Sequence, residues 1–288
     1  MNDYIFTFPT AWQIDVGTVI DDSIKQFSKD YEGILSIIKF GAIDAIQAIN
    51  NLLSSVPWIV LILLVVFLGY RVSRKITTGV LYGAMLFFIG IFGLWGNMIE
   101  TISIVIVAVS ISIVLGFPVG ILISMSKSAD RIIRPVLDLM QTMPAFVYLL
   151  PAVVLFSTGI MPALLATIIY SVVPMIRMTS HGITHVDKEV KEVAIAFGST
   201  RMQALVKVQI PQAMPTIMTG VNQTIMMAMS MVVTSAIIGA NGLGMEILLA
   251  INRVQMGKAL LPGISIVIIA IILDRLTQGI TKKNEVAE

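Results

Sequence analysis

The stretch EVAIAFGSTRMQALVKVQIP, residues 192–211, decides how the chain is read. Together with its lead-in, Val186, Val190, Val193 and Phe197 fall at i, i+4, i+7 and i+11, one apolar face of a short helix that begins near Asp187. Gly198 suits the left-handed residue just past a helix end. Thr200 and Gln203 make a T-x-x-Q capping box, which starts a second helix through Val208, and Pro211 closes the unit. The expected element is a helix-turn-helix, apolar on one side and charged on the other through Lys188, Glu189, Lys191 and Glu192. As a DNA reader it would offer phosphates only Arg201 and Lys207. Two readings stay open, a loop lying on a bilayer surface and a knob that docks a partner.

The surrounding sequence puts that unit beside a membrane. Of 288 residues, 57% are hydrophobic and 12% charged, about half the roughly 25% charged fraction of soluble domains. Uncharged gaps run over 45–70, 76–99, 101–126, 139–176, 208–245 and 259–273. A single helix through either of the two longest gaps would reach roughly 57 Å, nearly twice a hydrocarbon core. The first is therefore divided at Ser157, Gly159 and Pro162; the second has Pro211 and Pro215 at its front edge and ends at Gly239, Gly242 and Gly244.

The expected fold is an all-α integral membrane protein with about seven spans, near 54–70, 76–95, 99–125, 136–157, 160–177, 216–238 and 261–279. Alternate connections collect 14 of the 19 basic residues, so the positive-inside rule makes that side cytoplasmic, with the N-terminus outside and the C-terminus inside. No signal peptide is expected, because Asp3, Asp15, Asp21 and Asp22 precede the first basic residue, Lys25. Within 1–53, Ile20, Ile24, Phe27, Tyr31, Ile34 and Ile38 recur at helical spacing. They fit an amphipathic segment, either interfacial or strapped onto the other helices. Gly79-x-x-x-Gly83 and Gly116-x-x-x-Gly120 are expected close-packing sites, and Pro118 a kink.

Catalytic chemistry is not expected. Without cysteine there is no disulfide and no thiolate metal site. No G-x-x-x-x-G-K-[ST] or G-x-S-x-G occurs, and His181 and His185 lack the glutamate of H-E-x-x-H. The net charge of +2 favours no nucleic acid. What stands out is a polar face: Gln223, Met227, Ser230 and Thr234 at i, i+4, i+7 and i+11, with Asn222 before them. Interhelical hydrogen bonds and a transport pathway are both consistent with it. Asp138, Gln141 and Thr142 form a second cluster before Pro144, and Phe146, Tyr148 and Tyr170 are scattered aromatics. An ion-coupled secondary transporter would favour mid-span charges, which the central parts of these spans lack.

The stretch 192–211 resembles the EAA motif of binding-protein-dependent ABC transporter permeases, E-A-A, three residues, G, nine residues, I-x-L-P. Glu192 stands at the E, Val193 and Ala194 at the alanines, Gly198 at the glycine, Val208 at the isoleucine, and Ile210 and Pro211 at the L-P. The runs RPVLDLMQTMPAFVYLLP (134–151) and NQTIMMAMSMVVTSAIIGANGLG (222–244) are similar to permeases of the glycine betaine, proline and choline branch. The likeness runs from about Trp95 to Gly279. It implies a five-helix, MetI-like type-1 core over 96–279 with its coupling loop at 186–211, preceded by two accessory spans at 54–95 and followed by a cytoplasmic tail, 280–288. It also implies a permease pair, two cytoplasmic ATPases that bind ATP and Mg, an extracytoplasmic solute-binding protein, and a compatible solute as cargo. No binding domain is expected to be fused to this chain. An amino-acid or methionine importer is the alternative, since the loop does not choose the solute.

Overall fold

The computed structural model describes residues 17–285, so Asp3 and Asp15 and the final 286–288 lie outside the described residues. In chain order the helices are α1 (Gly17–Asp30), α2 (Glu32–Ser55), α3 (Trp58–Ser73), α4 (Ile76–Ile91), α5 (Trp95–Met125), α6 (Lys127–Thr142) and α7 (Leu149–Phe156). Then come α8 (Ile160–Thr184), α9 (Lys188–Ala196), α10 (Arg201–Ala204), α11 (Ile210–Thr234), α12 (Leu243–Asn252) and α13 (Met256–Glu285). Three tighter or wider turns join them: a 3-10 turn at Ala145–Tyr148, a π turn at Leu205–Gln209 and a 3-10 turn at Ser235–Ile238.

Each expected span contains a helix, the one at 76–95 being the shorter apolar helix Ile76–Ile91. Among the described residues four helices are long and apolar enough to cross a membrane, Trp95–Met125, Ile160–Thr184, Arg201–Ile238 and Met256–Gly279. Two further candidates are bent pairs: Glu32–Ser55 with Trp58–Ser73, turned by 94°, and Lys127–Thr142 with Ala145–Phe156, turned by 113°. Both bends fall at a residue before proline. Val56 and Met143 sit at ψ 126° and 136°, the extended backbone that a following proline ring imposes. The expected span at 136–157 is therefore a broken helix. Its break is stapled by the Tyr148 hydroxyl, which donates to the Met140 carbonyl, the group that Pro144 has no N–H to satisfy. Four to six spans by length and composition, with Ile76–Ile91 a shorter apolar helix beside them, leave the seven crossings and the outside N-terminus as expectations.

The core is built where α8 packs between α5 and α11. Ile104, Val105, Ala108, Leu164, Met229, Val232 and Ile269 are buried together. Small residues let the backbones approach. A Cβ on Gly120 would lie 2.6 Å from Thr179 Cβ and 2.8 Å from the Ile176 carbonyl oxygen, and one on Gly79 2.4 Å from the Val66 oxygen. Both glycine pairs are thus close-packing sites, and Ser112 and Ser171 add a hydroxyl pair at 3.0 Å between α5 and α8. Helix α5 continues through Pro118 to Met125. Helix α2 packs on α5 through Ile46, with Leu35, Ala42, Ile49 and Leu53 against the same core, as a strap would, while Ile20, Phe27, Tyr31, Ile34 and Ile38 stay exposed.

Candidate functional site: the 186–211 loop and the open face of α11

The loop forms as local chemistry dictates. Asp187 caps α9 by accepting from Glu189 N at 2.9 Å. At the other end Gly198 takes φ +82°. Its N–H donates to the Ile195 carbonyl at 2.9 Å, and Ser199 N–H donates to the Ala194 carbonyl at 3.1 Å, the paired bonds of a Schellman ending. The Thr200–Gln203 capping box is complete: Gln203 N donates to Thr200 Oγ1 at 3.2 Å and Thr200 N to Gln203 Oε1 at 2.9 Å.

Beyond the capping box the chain departs from expectation. Pro211 does not close the unit, nor do Pro211 and Pro215 mark a front edge, because one helical run continues from Arg201 to Ile238. The physical device is the π turn. Proline at 211 leaves the Lys207 carbonyl without its α-helical donor, and the wider turn absorbs the defect, with Ile210 N–H donating to Leu205 O. The second loop helix is therefore the first part of α11's own rod.

Burial divides the loop into roots and tip. Val186 and Leu205 are buried at 8% and 3% exposure, and they pack with Met175, Ile183, Ala213 and Ile217 between α8 and α11. At the tip Phe197 is 88% exposed, and Val193, Ile195, Met202 and Val206 are exposed around it. The expected Val186–Phe197 stripe is thus split: Val186 anchors, Val190 is half-buried, and Val193 and Phe197 stand free. Of the other loop positions, Glu192 and Pro211 are exposed, while Ala194, Val208 and Ile210 are half-buried. Lys191 Nζ reaches the Ile183 carbonyl at 3.4 Å, tying α9 to the end of α8.

On α11, Gln223 and Ser230 are exposed and Met227 and Thr234 half-buried, so these four share one open stripe. Asn222 leaves it. Its side-chain amide donates to Asp274 on α13, and Gln278 Nε2 donates to the same carboxylate at 2.7 Å. Nothing in the local sequence names that partner; the signal available is a lone carboxylate at the edge of the uncharged run 259–273. Asp138, likewise read apart from any partner, pairs with Arg177 of α8. The rings of Tyr148 and Tyr170 come to 5.8 Å, while Phe146 stays exposed. At the far end of α11, Gly242 at φ +102° lets the loop close on α5: Leu243 N donates to Thr101 Oγ1 at 2.9 Å, and Asn97 Nδ2 to Glu246 Oε1 at 2.9 Å. Among the described residues no three His, Cys, Asp or Glu side chains converge to hold a metal.

Comparison with known proteins matches residues 112–285 to the family described as binding-protein-dependent transport system inner membrane component. The glycine betaine/carnitine transport permease protein of Listeria monocytogenes is 43% identical over 96% of this chain and 97% of its own. The glycine betaine transport system permease protein of Bacillus subtilis is 42% identical over 95% and 96%. The glycine betaine/proline betaine transport system permease protein of Escherichia coli is 41% identical over 92% and 73%. Among solved structures, the MetNI methionine ABC transporter in inward-facing conformations has a chain that aligns with TM-score 0.54 at 20% identity, covering 64% of this chain and 90% of that one. The last likeness concerns the fold alone.

Proposed function

The chain belongs to the family of binding-protein-dependent transport system inner membrane components, and from that premise we propose that it is the permease subunit of an ATP-driven importer for a compatible solute of the glycine betaine, carnitine or proline betaine class. The relatives named for those solutes align along nearly the whole chain, which supports the substrate class. It is a multi-pass membrane protein and a transport component.

In this reading 96–279 is the type-1 core, 54–95 the accessory spans, and 1–53 and 280–288 the extracytoplasmic and cytoplasmic ends. Two copies form the pathway, two cytoplasmic ATPases bind ATP and Mg, and an extracytoplasmic solute-binding protein delivers cargo. The loop at 186–211 lies on the cytoplasmic side, as the clustering of basic residues favours.

The observation that carries the reading is the loop's division into buried roots and an exposed apolar tip. An ATPase cleft that covers Phe197, Val193 and Met202 gains apolar burial, with the rim charges Lys188, Glu189 and Glu192 setting orientation. Because Val186 leads directly out of α8 and Leu205 directly into α11, displacement of the tip is delivered to these two packed helices together. The open stripe of Gln223, Met227, Ser230 and Thr234 then lines the path the solute takes, and Asn222 holds α13 to its flank.

The test is Gly198→Asp in the reconstituted complex. Gly198 has no neighbouring atom within 4 Å of an added Cβ, and aspartate tolerates left-handed backbone better than most residues. The loop should fold and the protein insert, yet solute uptake should be lost because a charge enters the docking patch. Uptake at the wild-type rate would overturn the docking role.

A further inference from the structure

A cavity of about 420 Å³ opens among the end of α5 at Ile123, the helix α6 and the last turns of α8. Its volume lies within the range of about 300–1,000 Å³ typical of small-molecule sites. No residue of the 186–211 loop or of the α11 stripe lines it.

Its walls carry both signs of charge in equal number. Asp130 and Arg134 pair along α6 at 2.8 Å, and Asp138 of α6 pairs with Arg177 of α8. His181 and His185 complete the α8 wall, their rings 3.9 Å apart, with His185 Nδ1 held 2.9 Å from the His181 carbonyl. One donor is left over: Arg177 Nε is buried and has no hydrogen-bond partner. An unmatched guanidinium N–H away from water is costly, so an acceptor that reached it would be held.

The charge pattern selects the ligand. A simple anion entering the cavity would face two carboxylates, and a simple cation two guanidiniums. A molecule that carries both charges finds a complement for each. We propose that this cavity binds a small zwitterion, its anionic group on the Arg177 guanidinium and its ammonium group toward Asp138 and Asp130. This rests on the reading of the chain as a permease for zwitterionic solutes, and it places a solute stop on α8 immediately before the coupling loop, since His185 is followed by the buried root Val186. A ligand bridging α6 and α8 there would bear on the same helix that the loop moves. Two molecules share the required chemistry, the imported solute and a phosphatidylethanolamine headgroup.

The experiment uses the purified permease with its ATPase subunits and without the solute-binding protein. Radiolabelled glycine betaine binding is measured by equilibrium dialysis for wild type, Asp138→Asn, Arg177→Gln and Asp130→Asn, in vesicles of phosphatidylglycerol with and without phosphatidylethanolamine. Assembly of each variant is checked by size exclusion. Asp130→Asn breaks only a pair within one helix, so it reports on binding even if the α6–α8 pair proves necessary for folding. Each variant should weaken binding at least 10-fold, and Asp138→Glu should restore most of it. Loss of betaine binding on adding phosphatidylethanolamine supports the site with the headgroup as its occupant, and no loss supports it with the solute. Wild-type affinity in assembled variants, or a wild-type complex that binds neither molecule, overturns the proposal. Uptake by the wild-type complex with its binding protein separates the two claims: no uptake sinks the permease reading itself, whereas normal uptake beside unaffected variants sinks only the cavity.

Discussion

A single carboxylate, Asp274, accepts from two amides, Asn222 of α11 and Gln278 of its own helix. The Asn222 oxygen is buried without a partner, so the asparagine's place depends on its amide. Asp274→Leu removes the acceptor and should destabilise the protein by about 1–3 kcal/mol, the cost of an orphaned buried polar group. Thermal unfolding in detergent measures it. Asp274→Asn, which keeps a carbonyl acceptor, should lose less, and an unchanged unfolding midpoint for Asp274→Leu would show that the contact does not hold α13. Gly198 stands at the opposite pole of legibility. Its left-handed φ and both Schellman bonds follow from residues within five positions of it, so the local sequence suffices to read them.

At the scale of elements, glycines and prolines decide shape in two ways. Gly120 works by absence of a side chain, where α5 rests on the Ile176 carbonyl and Thr179 of α8. Gly120→Val would push these helices apart; overpacking of this kind costs about 1–3 kcal/mol. A lower unfolding temperature, with Gly96→Ala as a control at a position where nothing lies within 4 Å, is the expected result. Equal stability of the two variants would mean that α5 and α8 can separate freely there. The prolines do not all break helices. Pro144 sits at a 113° bend, whereas Pro211 is carried through a π turn and Pro118 lies inside an uninterrupted α5. The difference lies in the residue before each ring: Met143 is extended at ψ 136°, whereas Ile210 keeps helical backbone at ψ −47°.

For the whole molecule, the open stripe of α11 is the feature that the proposed transport must use. Helix α11 buries Ala213, Ile217, Gly220, Thr224 and Ala228 against its neighbours and leaves Gln223 and Ser230 outside. A polar stripe facing lipid would be unfavourable, so it calls for water, a solute or a second copy. Gln223→Leu and Ser230→Leu should slow solute uptake while assembly with the proposed ATPase subunits is unchanged. Unchanged turnover would give the stripe to packing alone.

The sequence by itself determined the membrane class, the family, and the helix-turn-helix with its caps, because hydropathy, glycine spacing and capping all act over a few residues along one chain. Only the tertiary structure decided that the seven apolar runs become four long helices, two bent pairs and the shorter apolar helix Ile76–Ile91, and that Pro211 is absorbed rather than terminal. It also decided that Asp138 meets Arg177, that Asp274 meets Asn222, and that Val186 and Leu205 are roots while Phe197 is the tip. Such outcomes depend on which helix lies across from which, and a partner 39 or 52 residues away exerts no pattern on the local sequence.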